Sequence, residues 1–178
     1  MKKLMAVLMI LCLAVTAVTA LAEETDTEQI VVNWSDYEAD AAGIEGDFAH
    51  LSQTGLIMFI PAEFKDSEIS DEGLDRGTFM VLKNENEGRA IVSGQAAELD
   101  MDTFLADLQS QGITIWETVL NGLNCYQFNI EAAGILTSCV AFRTDQDGTI
   151  FVFSFTLSDQ EPYASLYKVM VSSIQLAE

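Results

Sequence analysis

Residues 113–157, ITIWETVLNGLNCYQFNIEAAGILTSCVAFRTDQDGTIFVFSFTL, decide the fold. Four runs rich in β-branched and aromatic residues are separated by Asn121-Gly122, by Glu131-Ala132-Ala133-Gly134 and by Asp145-Gln146-Asp147-Gly148. Asn-Gly between two such runs is the strongest short-range signal for a two-residue hairpin. The spacing predicts strands over Ile113–Leu120, Leu123–Ile130, Ile135–Arg143 and Thr149–Leu157, joined as a meander. The last places Phe151, Phe153 and Phe155 on one face and Ile150 and Val152 on the other. A strand apolar on both sides needs cover on both sides, so the sheet must be one layer of several.

Helices flank this meander. Before it, Met101, Phe104, Leu105 and Leu108 follow helical spacing behind a candidate cap, Asp100, with Leu99 and Phe104 as a hydrophobic staple. Gly112 supplies the left-handed stop. After it, Ser158-Asp159-Gln160-Glu161 reads as a capping box for a helix striped by Tyr163, Leu166, Val169, Met170 and Ile174.

Upstream, Asp47–Leu51 alternates loosely and Leu56-Ile57-Met58-Phe59-Ile60 is a buried strand stopped by Pro61. Glu63–Gly77 reads as an acidic loop, and Thr78–Lys83 and Arg89–Ser93 as a hairpin. Ile30–Trp34 is either a short edge strand or an arm laid over the core by Trp34. Hairpins dominate, so the expectation is an α+β domain with a mainly antiparallel sheet covered by helices.

The first 22 residues carry a different message. Lys2 and Lys3 precede an apolar run, Leu4–Leu21, and Ala20-Leu21-Ala22 offers small residues where a signal peptidase reads them. The run sits at the lower edge of a membrane span, and Glu23-Glu24 follows the cleavage site directly. The expected organisation is a signal peptide at 1–22, an N-terminal arm at 23–45 and one domain at 46–178, secreted and with no membrane contact after cleavage. Cys12 lies inside the apolar run rather than at its end, which argues against lipidation.

Charge narrows the partners. The chain has 28 acidic against 8 basic residues, a formal net charge of −20. Such a field repels phosphate backbones, so nucleic acid is excluded as a partner. A protein partner remains open.

The element order and apolar anchors resemble the Mog1/PsbP-like fold. The resemblance rests on Gly55-Leu56-Ile57-Met58-Phe59-Ile60-Pro61 and on the middle helix with Leu105 and Leu108. It continues through Asn121-Gly122-Leu123 into Cys125-Tyr126-Gln127-Phe128, the phenylalanine-rich strand and Val171-Ser172-Ser173-Ile174. It spans roughly residues 48–176 and specifies a sandwich, not a chemistry. It implies a small non-enzymatic accessory or binding protein. No residues match the metal or photosystem contacts of the photosynthetic members.

Candidate chemistry is sparse. Cys125 and Cys139 are an even pair in an exported chain, and a hairpin centred on Ala132 would place them opposite each other on one face, within reach of a disulfide. The alternative is two buried free thiols. His50 is the single histidine and has no nucleophile elbow to serve, so no catalytic residue is expected. The acidic clusters, Asp66-Glu68-Asp71-Glu72-Asp75 and Asp145 with Asp147, suggest calcium. Yet Asp71 stands where a calcium loop needs glycine and Gly77 where it needs glutamate, so neither metal nor cofactor is expected. Trp34 and Tyr37 are the candidate contact surface, whereas Trp116 reads as core. The function expected is an exported interaction domain. The alternative is a small-ligand module with a pocket between sheet and helices.

Overall fold

The computed structural model describes residues 29–84, 90–143 and 149–177. The leader at 1–22 and the Asp145/Asp147 turn lie outside them. The fold is α+β and dominated by sheet.

Eleven strands occur among the described residues: β1 Ile30–Val32, β2 Gly46–Leu51, β3 Leu56–Pro61, β4 Phe64–Asp66, β5 Thr78–Asn84, β6 Ala90–Glu98, β7 Ile115–Leu120, β8 Leu123–Ala132, β9 Ile135–Arg143, β10 Thr149–Thr156 and β11 Gln175–Leu176. The helices are α1 Glu38–Ala41, α2 Asp71–Asp75, α3 Met101–Ser110 and α4 Tyr163–Ser172, with a 3-10 turn at Trp34–Asp36. An eight-stranded sheet runs β1-β7-β8-β9-β10-β6-β5-β4, and a three-stranded sheet runs β11-β3-β2.

Two features depart from the simplest expectation. β1 joins β7 in parallel, with Ile30 beside Thr118 and Val32 beside Leu120, so the large sheet is mixed. Its cover is also not helical alone. The face bearing Phe151, Phe153 and Phe155 packs against Leu166, Met170 and Val171 of α4 and against Leu51, Leu56 and Met58 of the small sheet. The opposite face, with Phe128, Ala141 and Ile150, is covered by Met101 and Leu108 of α3. The two-sided apolar pattern of β10 has its cause in these two covers.

Asp100 caps α3 as its position implies, its Oδ2 accepting the Thr103 N–H at 3.1 Å. The box before α4 does not form. Pro162 occupies the cap without a side-chain bond, and the buried Ser158 hydroxyl pairs with that of Ser138 at 2.8 Å. The acidic stretch after Pro61 is not a plain loop, since it holds β4 and α2, with Ser70 Oγ accepting the Gly73 N–H at 3.2 Å.

β6 runs five residues past Ser93, and Gly94 explains why. The β5–β6 register shifts between Thr78 and Met80, leaving Phe79 as the extra residue of a bulge. Its ring lies over Gly94, where a Cβ would meet it at 2.6 Å, and stands edge-on to Phe151 and Phe153 with centroids 5.8 and 5.9 Å away. Glycine weakens a strand by itself, yet here it makes room for an aromatic cluster. Gly94→Ala should therefore lower unfolding stability by about 1–3 kcal/mol through overpacking, measured by urea titration. An unchanged midpoint would mean that Phe79 can move aside freely.

Candidate functional site

The cysteines do not form the bridge the sequence allowed. The β8–β9 hairpin turns on Ala133 and Gly134, with φ of 52° and 73°, and Ala132 pairs with Ile135. Its centre lies between Ala133 and Gly134 rather than on Ala132. Cys125 therefore faces Phe142, and Cys139 faces Phe128. Phe142 is three residues from Cys139, and three steps along a strand reverse the face. Cys125 belongs to the core under α4 and Cys139 to the core under α3, with the sheet between them. Both are free and buried.

Burial pushes the Cys125 thiol up to about 12, with the Leu120 backbone pulling the other way, and its Sγ donates to Thr118 O at 3.3 Å. Burial likewise raises Cys139 to about 11, offset in part by Ser154. Reaction needs the thiolate, so both sulfurs are inert near neutral pH. Folding favours the neutral thiols, so this stabilisation is complete below the ordinary value of 9.0 and fades as pH climbs toward 11 and 12.

His50 is exposed on β2. Asp66 lies on β4 and Asp71, Glu72 and Asp75 on α2. Among the described residues no three histidine, cysteine or acidic side chains are grouped to hold a metal ion. Glu72 is occupied by an ion pair with Arg76. Trp116 is half-buried rather than fully core. Polar side chains do meet on the α4 side of β8 and β9, a grouping with no signature in the linear sequence. Ser138 donates to Asn129 Oδ1 at 2.9 Å, and Tyr167 OH donates to Gln127 Oε1 at 3.4 Å. Burial raises the Tyr167 phenol, with Ser138 opposing it. These groups satisfy one another. Beside them Phe64, Val92, Phe155, Leu166, Tyr167 and Met170 line a void of about 10 Å³, room for about one water molecule. Ligand pockets usually measure roughly 300–1,000 Å³. The buried Thr118 hydroxyl has no partner among the described residues, and it does not line this void.

The aromatic surface is the more developed feature. The Trp34 ring stacks on Phe59 with centroids 6.1 Å apart and meets Phe48 edge-on at 5.6 Å. Phe48 in turn packs edge-on to Phe59 at 5.9 Å. These rings lie on the face of the small sheet turned away from the core, because Leu51, Leu56 and Met58 point the other way. Phe59 is buried beneath them, whereas Phe48 remains 42% exposed. Tyr37 sits three residues beyond Trp34, half-buried, its carbonyl accepting from Asp40 and Ala41 of α1. Phe48 carries no mark in the sequence that sets it apart, since it belongs to a loosely alternating strand.

The sequence matches no protein-family model and no curated protein. Solved structures are similar. Cyanobacterial PsbP from Synechocystis sp. PCC 6803 superposes with a TM-score of 0.53 at 13% identity, over 75% of this chain and 94% of that one. The Ran-binding protein Mog1p of Saccharomyces cerevisiae gives 0.45 at 14% identity, over 75% and 96%. LpqN of Mycobacterium tuberculosis, involved in cell envelope biogenesis, gives 0.45 at 13%, over 86% and 100%.

The thiol geometry has a direct check. Iodoacetamide at pH 8 should leave Cys125 and Cys139 unmodified in the folded protein and label both after denaturation without reductant. Two unlabelled cysteines in the denatured protein would mean a bridge and a different β8–β9 register. The order of elements, the two sheets and the superposition on PsbP together establish that this chain has the Mog1/PsbP-like fold.

Proposed function

We propose that the chain is an exported, non-enzymatic accessory domain that works by protein contact through the surface around Trp34 and Tyr37, completed by Phe48. The observation that carries this reading is the aromatic cluster itself. Its outer ring is held by packing yet left open to solvent, outside the main core. Rigid aromatic rings half-exposed beside polar residues are what interfaces use.

Export is part of the proposal and rests on the leader at 1–22. Among the described residues no helix is long and apolar enough to cross a membrane. The non-enzymatic part of the proposal rests on the fold resemblance and on two thiols that burial keeps neutral. A small-ligand module would need far more than the void beneath α4.

A photoreactive residue in place of Phe48, expressed in the producing cell, tests the reading. One discrete adduct should form there and not from Leu74, an equally apolar and exposed residue on α2. Identical patterns from both positions, or no adduct at Phe48, would overturn it.

A further inference from the structure

Strand β2 is the longest open edge strand among the described residues. The described edges of the large sheet, β1 and β4, have three residues each, and β11 has two, whereas β2 has six. The ladder shows which backbone groups β2 leaves free. Phe59 N–H donates to Ser173 Oγ and Ala177 N–H to Gly55 O, so the odd-numbered residues of β3 bond toward the C-terminal segment. Its even-numbered residues, Leu56, Met58 and Ile60, therefore face β2, opposite Leu51, Ala49 and Asp47. The Ala62 N–H to Glu45 O bond continues the same parity. Gly46, Phe48 and His50 are left with their N–H and C=O groups directed outward. An exposed row of this kind is a template for another strand.

The surroundings select the strand. Glu45 and Asp47, beside and on β2, are exposed, as are Asp36, Glu38 and Asp40 earlier in the same segment. Among the described residues the one cation placed next to the strand, Lys65, is bonded to Ala62 O at 2.7 Å. Phe48 and Trp34 lie on the same side as the outward side chains of β2. We infer that β2 is a strand-addition site for an extended cationic segment of another protein, whose main chain pairs with Gly46, Phe48 and His50 and whose lysine or arginine side chains meet the acidic rim and the Phe48 and Trp34 rings. Edge pairing supplies affinity, and the rim and rings supply selection through charge and cation–π contact. A second copy of this chain is the wrong occupant. It carries the same net charge of −20, and β2 pairing with itself would set acidic rims side by side.

This inference rests on the contact-surface reading and adds the partner's chemistry. The probe is a blocked heptapeptide alternating lysine and valine, titrated into the isotope-labelled full chain. Amide shifts should concentrate at Gly46, Phe48 and His50, and affinity should weaken with added salt. The glutamate–valine counterpart should bind at least about tenfold more weakly. N-methylation of alternate peptide nitrogens should abolish binding in one phase and spare it in the other, because one edge of the peptide pairs with β2. Three results overturn the inference: no shifts on β2, equal binding of the glutamate peptide, or indifference to the phase of methylation. Concentration-dependent dimerisation through β2 would also overturn it. If the peptide fails while the Phe48 cross-link persists, the cationic strand is wrong and the contact surface stands. If the cross-link is absent, the contact surface falls whatever the peptide does.

Discussion

The side-chain amide of Asn121 ties together three parts of the chain that are distant in sequence. Its Oδ1 accepts the Trp34 N–H at 2.7 Å, and its Nδ2 donates to the carbonyls of Ser172 and Ile174 at 2.7 and 2.8 Å. Its backbone N–H reaches Val32 O at 2.9 Å. One residue thus joins the N-terminal segment, the β7–β8 hairpin and the end of α4, where helix carbonyls lack internal partners. The same residue must adopt a φ of 48° beside Gly122 at 81°, a conformation asparagine tolerates better than most. Turn chemistry and long-range bonding make the same demand.

From that clasp the candidate contact surface follows. With its N–H fixed by Asn121, Trp34 is set on Phe59 and Phe48. Ser173, one residue beyond α4, fixes the other side of the small sheet by accepting the Phe59 N–H at 2.8 Å and donating to Met170 O at 2.6 Å. The small sheet is then held with one face in the core and the other turned outward beneath Trp34. Its free edge, β2, is presented on a rigid support, which lowers the ordering cost of any strand that pairs with it.

Much of the fold was legible because its signals are local. Asn121-Gly122, the Asp100 cap, the stripe of α3 and the two-sided β10 each depend on residues a few positions apart. Other features were hidden because their causes are distant. β6 was cut short at Gly94, since a glycine reads as a breaker until the Phe79 ring above it is known. Alanine gives no warning of a left-handed turn, so Ala133 moved the hairpin centre and separated the cysteines. Ser158 looks like a helix cap but bonds across the sheet to Ser138, twenty residues earlier. The candidate surface was half legible: Trp34 and Tyr37 stand out by type, whereas Phe48 gains meaning only when β2 folds beneath Trp34.

Native-state hydrogen exchange of Asn121→Gly tests the central claim most directly. Glycine keeps the left-handed turn and removes only the clasp. The account predicts that the Trp34 amide, opened locally, loses nearly all of its protection, while global stability falls by about 2–3 kcal/mol, roughly 1 kcal/mol for each lost hydrogen bond and about 30–150-fold in the protection of core amides. The Phe128 and Val140 amides, inside the sheet, should follow only the global change. A Trp34 amide as protected in Asn121→Gly as in the native chain would show that the N-terminal segment is held by other contacts, and would contradict the account.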